Sequence, residues 1–299
     1  MRTSLLWLYE GQTQFWGRML AARSGLVTAE QARDSLAQAA AALEHRAGRT
    51  WRNLQDTTSE PTLDPRKLSK EWSNWQRGRD YYEEAALVWL EADSLIREQS
   101  AGTRSLDDFA KLFFGMEDGR VQPLPYSFED IVATLNQVLP YDWTRFLRTR
   151  LDSHAAGAPL QGLERSGWRL AYADKPSEFS RPAEGETRAD DFAYSLGLTL
   201  EKDAKIDAVL WGSPAYTAGL SPTVQLVAVN GRAYKAERLG EAISANKNGK
   251  SPLALLLKDG ELYRTVNVDY RDGLRYPRLE RIPGTTERLD AGPLAPRAS

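Results

Sequence analysis

Residues 195–231 read SLGLTLEKDAKIDAVLWGSPAYTAGLSPTVQLVAVNG, and this stretch decides between one architecture and two. Its apolar residues do not recur at helical spacing. They come in short runs of Leu, Ile and Val separated by Gly, Pro, Ser and Asn, the pattern of strands joined by turns. Asn230-Gly231 ends the stretch with a pair suited to a hairpin turn. The same pattern runs outward from Gly167: WRLAYA (168–173), FAYSLGLTL (192–200), KIDAVLW (205–211), VQLVAVNG (224–231), PLALLLKDG (252–260) and ELYRTVNVDY (261–270). Asp259-Gly260 is a second turn signal, and residues 236–246 form one short helix among the strands.

Upstream of Gly167 the period changes to that of helices. Leu5, Leu8, Tyr9, Trp16, Met19 and Leu20 make residues 4–23 an amphipathic helix with Glu10 beside its apolar stripe. Thr28 and Gln31 have capping-box spacing for an alanine-rich helix to about Ala47. Residues 56–65 read as a loop. A strong helix follows over residues 80–99, and Ser105 with Asp108 and Ser127 with Asp130 open two more before Pro140 breaks the pattern. YDWTRFLRTRLD completes the helical block. Residues 273–299, rich in Pro, Arg and Gly without periodicity, are expected to be a flexible tail.

Composition agrees with two folded units. At 299 residues and 41% hydrophobic content the chain exceeds one ordinary domain and can bury real cores. A formal net charge of −2 supplies no basic excess for phosphates, so nucleic acid is not an expected partner. Absence of cysteine excludes disulfides, thiolate metal sites and a cysteine nucleophile. No stretch approaches the roughly 20 apolar residues of a membrane span, and the first 20 residues carry Glu10 instead of a signal-peptide core. If Met1 is the true start, a cytoplasmic location is expected; a longer protein with a leader would be periplasmic or secreted.

Residues 195–270 resemble a PDZ domain of the bacterial protease-associated kind. The matching residues are Ser195-Leu196-Gly197-Leu198, Gly212-Ser213-Pro214-Ala215-Tyr216-Thr217-Ala218-Gly219-Leu220 and Val227-Ala228-Val229-Asn230-Gly231. Ser221-Pro222-Thr223-Val224 departs from the family's Pro-Gly-Asp turn. The resemblance implies a carboxylate nest at Leu196, Gly197 and Leu198, a peptide added as a strand along 198–200, and a side-chain pocket at Leu239 and Ile243. Peptide or protein C-termini are the implied partners. Read without the resemblance, the leucines are simply core.

Leu6-Trp7-Leu8-Tyr9-Glu10-Gly11-Gln12-Thr13 resembles the helix of glutamate-zinc peptidases that supplies the third metal ligand. Gly78-Arg79-Asp80-Tyr81-Tyr82-Glu83-Glu84-Ala85-Ala86-Leu87 resembles the segment carrying a tyrosine that donates to the tetrahedral oxyanion. Together with the element order, these motifs resemble the C-terminal part of the glycyl aminopeptidase family of zinc metallopeptidases. By that match Glu10 is the candidate ligand for Zn2+ and Tyr82 the candidate catalytic phenol; Glu84 and Ala85 replace the family's lysine and glycine, and a register one residue earlier would select Tyr81. The family's His-Glu-x-x-His helix is absent, since the two histidines, His45 and His154, lie in no such motif.

The implied fold class is α+β: a helical C-terminal portion of a thermolysin-like catalytic domain over 1–164, a PDZ domain over 165–272 with its core at 191–270, and the tail. The implied function is removal of small N-terminal residues such as glycine from peptides, with Zn2+ in the complete protein and no stable binding or turnover by these residues alone. The alternative is a non-catalytic peptide-binding PDZ protein on a helical scaffold. If covering elements are missing, the side of the first helix bearing Leu6, Glu10 and Thr13 should be exposed.

Overall fold

The computed structural model describes residues 3–63, 73–117, 119, 121–177 and 190–296. The chain is of mixed α+β class, with a helical unit and a β-rich unit that have separate hydrophobic cores.

The helical unit is built around α6 (Glu83–Gln99), which is buried on every side from Glu84 to Ile96. A helix apolar or paired all round belongs at the centre of a bundle. Against it lies α1 (Leu6–Arg23), which buries Trp7, Leu8, Gly11, Gln12, Phe15, Met19 and Ala22 along one stripe. Gly11 makes the crossing close: a Cβ there would stand 2.5 Å from Ala85 Cβ. Gly162 does the same for α10 (Gln161–Arg165), where a Cβ would lie 2.6 Å from the Glu91 nitrogen. Trp7 and Trp89 stack at 5.8 Å across the α1–α6 contact.

Local chemistry sets the other helix starts. Capping boxes open α2 (Ala29–Glu44) at Thr28 and Gln31, α7 (Leu106–Phe114) at Ser105 and Asp108, and α8 (Phe128–Val138) at Ser127 and Asp130. Asp142 caps α9 (Trp143–Leu151). The stretch expected to be a loop from residue 56 instead contains two short helices, α3 (Leu54–Thr57) and α4 (Glu60–Leu63); Asn53 caps the first by accepting from Asp56 N–H. Residues 64 and 65 lie outside the described residues. α5 (Ser73–Gln76) precedes α6.

The β-rich unit holds two antiparallel sheets. In one, β3 (Leu198–Leu200) lies between β2 (Asp190–Phe192) and β4 (Ile206–Val209). FAYSLGLTL is therefore a hairpin, not one run. The other has the order β6 (Arg232–Ala233), β5 (Gln225–Val229), β7 (Leu253–Asp259), β8 (Leu262–Val268). Asn230 and Gly231, at φ of 49° and 75°, turn β5 into β6, and Gly260 at 59° turns β7 into β8. Helix α11 (Pro214–Thr217) is capped by Ser213, and α12 (Ala236–Ala245) buries Leu239 and Ile243.

Two expectations need correction. β1 (Trp168–Ala173) pairs antiparallel with β9 (Tyr276–Arg281) along the full length of both, and this ribbon packs on α2. Trp168 and Leu279 belong to the helical core, so β1 is not the start of the β-rich unit. Nor is the segment from residue 273 a loose tail as far as residue 296: Leu289 and Leu294 are buried in the same core, Arg23 donates to Pro293 O at 2.7 Å, and Arg33 pairs with Asp290. Glu287 accepts the N–H groups of Leu289, Asp290 and Ala291. A few spaced leucines and one carboxylate order a segment whose composition alone reads as disordered. Residues 297–299 lie outside the described residues.

Candidate functional site

Glu10 lies on α1, one residue before the glycine that draws α1 against α6. Tyr82 is the N-cap residue of α6. Its hydroxyl donates to Glu10 Oε1 at 3.0 Å, joining residues 72 positions apart. Both side chains are half-buried, Leu6 likewise, while Tyr9 and Thr13 of the same helix are exposed. Tyr81 is only 2% exposed and packs beside Tyr82 with tilted rings whose centres are 4.8 Å apart. Of the two tyrosines, Tyr82 is thus the one whose hydroxyl meets Glu10.

Desolvation, then the hydrogen bond to Glu10, pushes the Tyr82 phenol up to about 12. It stays protonated at neutral pH and is available as a donor. A cavity of about 350 Å³ adjoins it, lined by Ala39, Leu43, Gly78, Arg79 and Glu83 among others.

The start of α6 is held by a buried ionic cluster. Glu84 accepts from Arg49 Nη2 at 3.0 Å and Arg77 Nη2 at 2.5 Å, and Asp80 lies 3.2 Å from Arg77 Nε and 3.5 Å from Arg46 Nε. Arg77 is fully buried at a positive φ of 42°. Desolvation lowers its pKa against the pull of Glu84 and Asp80. Acids in the first turn also suit the positive end of the helix dipole. Glu84 thus does structural work at the position where the family resemblance has lysine. Arg49 extends the cluster to the carbonyls of Ala155 and Gly157.

Among the described residues no group of three or more His, Cys, Asp or Glu side chains is arranged to hold a metal. A catalytic zinc generally takes three protein ligands. By itself the donor set around Tyr82, one carboxylate without an imidazole, does not fit Zn2+. His45 is engaged elsewhere and His154 is exposed. No helix among the described residues is long and apolar enough to cross a membrane.

The residues read as a peptide groove come together in the β-rich unit, but as buried groups. Leu196, Leu198, Leu239 and Ile243 are all in its core. Gly197 has φ +80°, and a Cβ there would stand 2.0 Å from Ser213 Cβ, so only glycine fits. The N–H groups of Ser195, Leu196 and Gly197 all donate to Phe192 O, at 3.1, 2.9 and 3.1 Å. β3 is hydrogen-bonded along both edges within the chain, by β2 and by β4.

One cluster had no sequence signal. Between the two units, Asn74 accepts from Trp211 N–H at 3.0 Å and donates to His45 O at 3.2 Å, while Trp75 stacks on Trp211 at 4.8 Å. His45 Nε2 meets the Tyr172 hydroxyl at 3.1 Å, and its ring lies 5.5 Å from that of Tyr194. A cavity of about 490 Å³ opens here, bordered by His45, Tyr194, Asp272 and Arg275.

Residues 1–88 match the family model of the M61 glycyl aminopeptidases; that span contains both Glu10 and Tyr82. No curated protein matches. The chain is similar to a crystal structure of an aminopeptidase N family protein from Idiomarina loihiensis, at 18% identity and a TM-score of 0.68, over 98% of this chain and 49% of that one. At that identity the likeness is one of fold, and this chain spans about half the length of that structure. The sequence match to glycyl aminopeptidases is thus carried by residues 1–88, and the likeness of fold by nearly the whole chain.

Proposed function

We propose that the chain is the C-terminal portion of a zinc-dependent metalloaminopeptidase that removes small N-terminal residues such as glycine, and that its β-rich unit is a PDZ module for peptide C-termini. The observation that carries the first part is the hydrogen bond from Tyr82 to Glu10, which joins the two residues singled out by their motifs. The match of residues 1–88 to glycyl aminopeptidases supports the substrate class.

In this reading the chain contributes half a site. Glu10 is its one carboxylate ligand, and the remaining ligands and the general base come from polypeptide beyond these residues. Bound Zn2+ would supply Lewis-acid activation of the scissile carbonyl and of water. What this chain supplies is a donor: the Tyr82 phenol, held protonated by burial and by Glu10, would turn its single O–H from Glu10 to an oxyanion as charge develops there and the Glu10 carboxylate is taken up by the metal. The ionic cluster under α6 fixes where that hydroxyl stands.

The test is hydrolysis of a glycyl anilide by the polypeptide as the cell makes it. Chelator-sensitive turnover is expected. Tyr82→Phe should lower kcat roughly a hundred- to a thousandfold with KM little changed, as loss of one oxyanion donor does, and Glu10→Gln should abolish zinc retention measured by atomic absorption. Residues 1–299 alone should show no turnover. Unchanged kcat in Tyr82→Phe removes the assignment.

The second reading, a non-catalytic peptide-binding protein, is favoured by one observation: three backbone donors converging at residues 195–197. Titration with peptides bearing free or amidated C-termini checks the module under either reading. Equal affinity for both forms excludes a carboxylate nest.

A further inference from the structure

We infer that Asp190–Phe192 is a built-in occupant of the groove between β3 and α12, and that it displays the ligand class this groove takes: a peptide ending in an aromatic residue with a free carboxylate and carrying an acid two positions earlier. The inference rests on the peptide-binding reading above and adds to it a specificity and a competitor.

β2 lies where an added strand would lie. It runs antiparallel to β3 in the register Asp190↔Leu200, Asp191↔Thr199, Phe192↔Leu198, so its C-terminal residue stands at the loop of residues 195–197. On its other side is α12: the Phe192 ring comes within 4.0 Å of the Cβ position of Gly240 and is buried in the same core as Leu239 and Ile243. Strand on one side, helix on the other and backbone N–H groups at the end are the elements of C-terminal peptide capture.

The donor count favours a carboxylate at that end. Three N–H groups converge on the single carbonyl of Phe192. A carbonyl oxygen offers two lone pairs, whereas a carboxylate offers two oxygens, about four acceptor sites and a full charge. All three donors therefore share one oxygen's two lone pairs, a set that a carboxylate would accept with more sites and a full charge. Asp190 marks the second recognition point, since the Tyr234 hydroxyl donates to its Oδ2 at 2.6 Å.

An occupant joined to the groove by the short turn of residues 193–197 competes at high effective concentration. Free peptide binds only the fraction of molecules in which β2 has left, and its apparent affinity falls by that fraction. Loosening β2 should therefore strengthen binding, the reverse of what removal of a core residue ordinarily does to a binding site.

The experiment is fluorescence anisotropy of labelled Ser-Asp-Asp-Phe, with free or amidated C-terminus, on the full chain. Phe192→Ala should bind the free acid roughly tenfold or more tighter than wild type, and Asp190→Ala, which spares the buried ring, should move in the same direction by less. Because the chain has no cysteine, Asp191→Cys with Thr199→Cys can lock β2 to β3; the oxidised form should not bind and dithiothreitol should restore binding. Tyr234→Phe in the Phe192→Ala background should lose the preference for Asp over Asn at the antepenultimate position. If wild type, Asp190→Ala and the locked form bind the free acid equally, internal occupancy is overturned while peptide recognition stands. If no form binds, including folded Asp190→Ala, the groove itself is not a peptide site and the inference falls with it.

Discussion

Thr223 has a φ of +76°, in the left-handed region where a β-branched residue is strained. It stays there because its N–H donates to Ile206 O at 2.9 Å, while Val224 O accepts from Ile206 N–H. This is the turn at which the resemblance has glycine. Thr223→Gly should relieve the strain and stabilise the β-rich unit by about 1 kcal/mol after the added entropy of the unfolded glycine is counted; a lower urea midpoint than wild type would show that no strain is stored. Single residues were legible where chemistry left few options. Gly11 inside a helix and Gly197 inside a strand-like run occupy positions where glycine is locally unfavourable, and both sit where a Cβ would collide with a neighbour. Choosing Tyr82 over Tyr81 was harder, because adjacent tyrosines differ only in which way the first turn of α6 presents them.

Helix starts were readable because a capping box is a local device: Thr28, Ser105 and Ser127 each find their partner three residues on. The β2–β3 hairpin was not, since a continuous apolar run hides a turn closed by the backbone alone, and β9 was not, since its partner strand begins more than 100 positions earlier. The seam between α2 and β1 was invisible for the same reason and carries a pH dependence. Desolvation first, then the Arg275 charge, lowers the pKa of His45 below the ordinary 6.5. Folding therefore favours the neutral imidazole: its contribution is complete above about 6.5 and is lost as pH falls from there toward the folded value. Urea midpoints taken between pH 7.5 and 5 should fall more steeply for wild type than for His45→Gln; parallel curves would exclude His45 as the source.

At the scale of the whole molecule, the β-rich unit is an insert. The chain leaves the helical unit at Ala173 and returns at Tyr276, and these two residues face each other in the β1–β9 register. Each unit has its own core. Replacing residues 174–275 by an Asn-Gly turn should therefore leave a helical protein that unfolds cooperatively; a broad, non-cooperative melt would mean that the insert supports the helical core. The clasp also sets an order of events during synthesis. Trp168 is made early, but Leu279, Leu289 and Leu294, which complete its surroundings, leave the ribosome only after the whole insert has emerged. The unit encoded first is thus the one that finishes folding last, and until then its unfilled core is exposed to chaperones and proteases.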